Sequence, residues 1–189
     1  MKRVLKKAID RFNNSKNKNL FLGVISFAES SFFPIPPDIF LMALLSKDAR
    51  RWMFLATITT VSSVFGGLFG YAIGFFFFSS IGEGLISFYG LEAEFEKLRI
   101  IFQENTFISL FIAALTPIPY KVFTISGGFF GVSIFNFLIA SILGRGIRFF
   151  AVAFLFRRFG ENIKFFINKY FNLLTLIVSL ILVLYIVFR

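Results

Sequence analysis

The chain of 189 residues contains no cysteine and no histidine. The first absence rules out disulfides, and the two together rule out a Cys/His metal site. Without histidine, the side chain that most often does acid–base work near neutral pH is missing. Acids are also scarce: ten Asp and Glu stand against 20 Lys and Arg, a net charge of +10. Proline is scarce and confined, since all five prolines lie in two short stretches. What abounds is apolar. Hydrophobic residues make up 57%, 32 residues are Phe, and the mean hydropathy is +0.82. A soluble domain of this length cannot hide so much apolar surface. The composition predicts a multi-pass, all-α membrane protein with a single membrane domain.

The basic residues border the apolar runs, which is the pattern of cytoplasmic anchoring and argues against nucleic-acid binding. Residues 1–19 carry seven bases and one acid. Val4, Leu5, Ala8, Ile9 and Phe12 fall on one helical face, with Lys2, Lys6, Lys7 and Arg11 elsewhere. This reads as a cytoplasmic amphipathic segment resting on anionic lipids. A signal peptide is not expected, because the apolar run that follows holds Glu29 and prolines and lacks a small-x-small cleavage site.

Five apolar segments follow, at 20–46, 52–78, 106–131, 134–156 and 170–188. The second, fourth and fifth are long enough to cross a bilayer as helices, at roughly 20 residues each. The first and third hold the prolines. "SFFPIPPDIF" (31–40) and "LTPIPYKVFTI" (115–125) share a pattern: Pro-Ile-Pro, one residue, a charge, a β-branched residue, Phe. Proline removes a helical hydrogen bond and pushes its predecessor out of the helical region. Pro34, Pro36 and Pro37, and then Pro117 and Pro119, therefore predict two helix–break–helix hairpins.

Such breaks are tolerated at membrane depth only when buried in protein or lining a wet cavity. If both hairpins are re-entrant, every basic loop falls on the cytoplasmic side and the acidic stretch 81–105 falls outside. The hairpins then enter from opposite faces, as in an inverted repeat. Residues 91–102 read as a surface helix with Leu91, Phe95, Leu98 and Phe102 on its apolar face. Gly66, Gly70 and Gly74, at four-residue spacing, predict close helix packing.

Five ionisable residues fall inside apolar segments: Glu29, Asp38, Lys121, Arg145 and Arg148. Each costs about 2.5–3.5 kcal/mol or more in an isolated membrane helix, so they call for mutual pairing, a wet cavity, or both. Asp38 and Lys121 hold matching places in the two proline motifs and are expected to face one another. Asp38 suits the first turn of a helix and Lys121 does not, which points to an anionic partner for the lysine. Arg145 and Arg148 share a helix face with Ser141, and Gly144 and Gly146 would leave room beside the Arg145 guanidinium. An arginine fork matches a phosphate group. Two acids against three bases leave one cation over.

"FAESSFFPIPPD" (27–38) resembles the first re-entrant motif of the DedA family, also called the VTT or SNARE-associated domain. "TPIPYKVFTISGGFFGVSIFNFLIASILGRGIRF" (116–149) is similar to the second motif and its following helix, closest to the YqaA-like branch. The resemblance covers residues 20–160, with a cytoplasmic loop and final transmembrane helix over 161–189. Many members carry an arginine just before the second break, where this chain reads Ala114-Leu115-Thr116.

The resemblance implies a transporter of the bacterial cytoplasmic membrane with its N-terminus inside. Its substrate would be a lipid phosphate such as undecaprenyl phosphate. Carried onto this chain, Lys121, Arg145 and Arg148 would bind the substrate, and Glu29 and Asp38 would carry coupled protons. The other readings are proton-coupled exchange of an ion or small solute, and a structural membrane protein. No enzyme, cofactor or metal is expected. Histidine-dependent lipid phosphatases are excluded, and the Pro-Gly-x-Ser-Arg-Ser pattern of other prenyl-diphosphate phosphatases is missing. A homo-oligomer is left open.

Overall fold

The computed structural model describes residues 11–12, 14–33, 35–116 and 119–160. Most of the expected amphipathic segment, Pro34, Pro117 and the expected final spanning helix lie outside the described residues. Among the described residues every regular element is a helix.

Helix α1 (Lys18–Ser31) starts where the Asn17 side chain accepts a hydrogen bond from the Leu20 amide, satisfying one of the orphan donors of a helix start. It stops at the first proline stretch. Helix α2 (Asp38–Leu45) resumes directly after Pro37, with the acid in its first turn. A short 3-10 turn (Ala49–Arg51), capped by the Asp48 side chain, leads into α3 (Trp52–Phe77). That helix runs on through a π-helical turn (Phe78–Gly82) into α4 (Glu83–Tyr89). It ends at Gly90, whose φ of 64° is a backbone state that glycine adopts without Cβ strain.

Helix α5 (Glu92–Glu104) and helix α6 (Thr106–Leu115) meet at a bend of 69°. The second proline stretch then separates α6 from α7 (Tyr120–Phe129), and α8 (Ile134–Phe159) closes the described chain. Both breaks thus fall where the prolines predict them. The stretches Ala49–Tyr89 and Ile134–Phe159 are long and apolar enough to cross a membrane, and the bent pair α5–α6 makes a third if it counts as one span.

The two long helices carry the architecture. Helix α3 packs against α1 on one side and α7 on another, and α8 packs against α6, α2 and α3. Glycine makes the closest approaches. A Cβ on Gly66 would strike the Phe27 carbonyl of α1, and one on Gly74 the Ile125 carbonyl of α7. The approach is reciprocal, because a Cβ on Gly128 of α7 would strike the Tyr71 carbonyl of α3. The packing role expected for the glycine stripe is what the structure shows. Gly144 serves the same purpose against α6, where a Cβ would sit 2.6 Å from the Ala114 methyl. Its role is helix approach and not, as expected, room beside Arg145.

Two apolar cores result. One joins α1, α2, the start of α3 and the end of α8 around Leu22, Phe40, Leu41, Leu55, Phe149 and Phe156. The other joins α6, α7 and the start of α8 around Leu110, Ala114, Tyr120, Phe137 and Ala140. Helix α5 lays Phe95 and Phe102 on the end of the second core, with Phe95 stacked on Phe78 and Phe130. Its Leu98 stays exposed, so the expected apolar face is only partly covered.

Candidate polar site at the two proline breaks

Between the two cores runs a buried polar layer. From α1 come Ser26, Ser30 and Ser31, from α3 Thr59, Thr60 and Ser63, from α7 Thr124, and from α8 Ser141, Arg145 and Arg148. The layer lies near the middle of both long helices. Arg145 stands 11 residues into α8, about 16 Å from its start.

Serines stitch α1 to α3 within this layer. Ser26 Oγ donates to the Thr59 carbonyl at 2.7 Å, and the Ser30 and Ser63 hydroxyls are 2.7 Å apart. Ser31 Oγ lies 2.9 Å from the Gly66 carbonyl. A hydroxyl in an apolar surround needs such partners, because leaving it unbonded costs about 1–3 kcal/mol.

Arg145 is 2% exposed. Its Nη2 donates to Glu29 Oε2 at 3.0 Å and reaches Ser30 Oγ at 3.4 Å. Its guanidinium lies over the Tyr120 ring, 4.1 Å from the centroid. Tyr120 in turn donates its hydroxyl to Ser141, which donates to the Phe137 carbonyl. The ring supplies an electron-rich face to a desolvated cation, worth about 2 kcal/mol or more in such a setting.

Arg148 joins the two breaks. Its Nη2 donates to Asp38 Oδ2 at 2.9 Å, and its Nη1 donates to the Thr116 carbonyl at 2.8 Å. Asp38 opens α2 just after the first break, where the helix dipole favours an anion. Thr116 closes α6 just before the second, where free carbonyls favour a cation. One guanidinium therefore complements both interrupted helix ends. Asp38 Oδ1, Thr60 Oγ1 and Arg145 Nε are buried with no hydrogen-bond partner among the described residues.

The expected facing of Asp38 and Lys121 is corrected. Asp38 pairs with Arg148 because α8 packs against both breaks and its arginine spans them. Lys121, the second residue of α7, is half-buried and makes no ion pair among the described residues. With Glu29 on Arg145 and Asp38 on Arg148, it is the cation in excess. Pro37 and Pro119 immediately precede α2 and α7, and Pro36 is exposed in the first break. Residue by residue, Glu29, Asp38, Arg145 and Arg148 come together and Lys121 stands apart from their ion pairs. Tyr120, Ser30, Ser63 and the Thr116 carbonyl belong to the same network. Sequence reasoning passed over them, although a tyrosine inside an apolar run signals a hydroxyl that needs a partner.

No family model matches the chain, and no solved structure matches it. It is similar to an uncharacterized protein of Haemophilus influenzae, 36% identical over 142 residues, which is 75% of this chain and 73% of the relative. An uncharacterized protein of Histophilus somni is 30% identical over 145 residues, 75% of this chain and 74% of its own length. An uncharacterized protein of Methanocaldococcus jannaschii is 29% identical over 127 residues, 66% of this chain and 75% of the relative. At that identity and coverage, the chain belongs to the protein family of the Haemophilus influenzae protein.

Proposed function

We propose that the chain is a DedA-like membrane transporter that carries a lipid phosphate, such as undecaprenyl phosphate, across the bacterial cytoplasmic membrane. The observation that carries this reading is the pairing of two buried arginines of α8 with the two acids that flank the first proline break. Among the described residues, Arg145 keeps a buried N–H without a hydrogen-bond partner, and Lys121 makes no ion pair. A phosphate headgroup would supply the missing anion, with its apolar tail in the surrounding lipid.

Helix lengths support re-entrant hairpins. Helix α1 has 14 residues and α6 has ten, about 21 and 15 Å, against a hydrocarbon core of about 30 Å. An inverted repeat is supported by the matched packing of α1 on α3 and α6 on α8. Charge supports the orientation. Lys18, Lys47, Arg51 and Arg157 gather near the start of α3, where Arg157 lies over Trp52, and α4–α5 at the other end carry the acids. The positive-inside rule puts that basic end, and the N-terminus, in the cytoplasm. Glu29 and Asp38 are the groups that would take up protons, each uptake releasing an arginine from its partner.

A structural role is the second reading, favoured by the observation that both acids already have an arginine each. The deciding experiment is translocation of a labelled polyprenyl phosphate in proteoliposomes, with and without a pH gradient. Wild type is expected to transport, and Asp38→Asn and Arg145→Ala to lose transport while remaining folded. Undiminished transport in a well-folded Arg145→Ala protein would overturn the proposal. A well-folded wild type that moves no lipid, in the same assay, would favour the structural role.

A further inference from the structure

A second feature lies away from the central layer, at the basic end of the bundle. The start of α1, the end of α2 and the turn before α3 enclose a pocket of about 330 Å³. Four cations line it: Lys16, Lys18, Lys47 and Arg51. Asp48, the one acid among the described residues that line it, already accepts a hydrogen bond from the Arg50 amide at 3.1 Å as the cap of the turn. Lys18 is held below the ordinary lysine range, by burial first and by the like charge of Lys47 second. Crowded ammonium groups favour an anion among them.

A second cavity, an apolar groove of about 680 Å³, opens between α1 and α3. Asn17 and Asn19 line both the pocket and the groove, so the two adjoin at the start of α1. Leu20, Val24 and Phe27 form one wall at helical spacing, and Phe54, Ile58 and Phe65 form the other. Leu20, Val24, Phe54 and Phe65 are about half exposed or more, so nothing in the chain described here covers this wall. Gly23 keeps the floor low, since a Cβ there would come within 3.0 Å of Ser62 Oγ. A cationic pocket opening into an uncovered apolar groove complements a molecule with an anionic head and a hydrocarbon tail.

We infer that the α1–α3 groove and the Lys16–Lys18–Lys47–Arg51 pocket form a binding site for one anionic membrane phospholipid, its phosphate in the pocket and an acyl chain along the groove. This site is separate from the Arg145–Arg148 layer and does not depend on translocation. It also differs from a diffuse attraction to an anionic surface, because the groove fixes one lipid in one orientation.

The test is native mass spectrometry of the full chain in detergent, titrated with phosphatidylglycerol, phosphatidylcholine or inorganic phosphate. Wild type is expected to retain one phosphatidylglycerol at least about tenfold more tightly than phosphatidylcholine. Lys47→Gln with Arg51→Gln should weaken phosphatidylglycerol by about 25-fold, about fivefold for each cation removed, and erase the preference. Val24→Trp, which fills the groove from an exposed position, should weaken both lipids alike. Arg99→Gln, an exposed cation on α5, should change neither. Equal retention of the two lipids by wild type would overturn the inference. So would undiminished phosphatidylglycerol binding by the Lys47→Gln, Arg51→Gln protein. Displacement of the lipid by equimolar inorganic phosphate would show a free-anion site and overturn the lipid assignment.

Discussion

Asp38 and Arg148 are 110 residues apart in the chain and 2.9 Å apart in space, joined across the two proline breaks. The same guanidinium also holds the Thr116 carbonyl at 2.8 Å. Removing either partner leaves a buried charge without its counterion, which costs about 3–5 kcal/mol, whereas an apolar pair of similar volume is often tolerated. Asp38→Ala and Arg148→Ala are each expected to lose about that much stability. The double variant Asp38→Leu, Arg148→Met should recover most of it. Denaturant titration of the purified proteins reads this directly, and a double variant no better than its parents would contradict the coupling.

The two ion pairs differ in how the backbone treats them. Asp38 sits in the first turn of α2, where an anion is favoured, and Glu29 sits near the end of α1, where it is not. The charge-exchanged protein Glu29→Arg, Arg145→Glu should therefore fold better than Asp38→Arg, Arg148→Glu. The second exchange also sets a carboxylate against the Thr116 carbonyl. Comparing the folded fraction of each by gel filtration tests the ranking.

Glycine gives a graded series. Gly74→Ala and Gly128→Ala push a methyl onto a facing carbonyl and should each cost about 1–3 kcal/mol or more. Gly84, in α4, has nothing within 4 Å of its added Cβ. Gly84→Ala should be neutral or stabilise by about 0.5–1 kcal/mol, since alanine is the better helix former. Thermal unfolding of the three variants checks the order.

A chain without cysteine is suited to topology mapping. Ser46, exposed just after α2, and Ser87, exposed in α4, lie on either side of helix α3. With α3 across the bilayer in the orientation proposed above, Ser46→Cys is expected to react with an impermeant maleimide only after the cytoplasmic face is opened. Ser87→Cys should react in intact cells. Labelling of both from one side would contradict the spanning assignment of Ala49–Tyr89.

Much of this fold was legible because proline and glycine act locally. Pro37 and Pro119 fix the starts of α2 and α7 through the backbone alone, whatever packs around them. The glycine stripe announces close approach for the same reason. The partners of the buried charges were not legible. Matching positions in two motifs suggested Asp38 against Lys121, but pairing is decided by which helix reaches the breaks, and that is α8. Nor does the local sequence around Tyr120 reveal that its ring carries Arg145, because the contact needs α7 and α8 side by side.

The glycine contacts have a mechanical consequence. Where carbonyls rest on glycines, as between α1 and α3 or α3 and α7, two helices have no clearance to slide and move as one piece. The same holds for α6 on α8. Helix α7 is thus welded to α3, while its partner in the hairpin, α6, is welded to α8. The two arms of the second hairpin are therefore fastened to different long helices, α6 to α8 and α7 to α3. Glu29 on α1, which rests on α3, and Arg145 on α8 tie those two long helices together by charge, so the ion pair, and not the glycine contacts, is the part of this joint that a single proton can loosen.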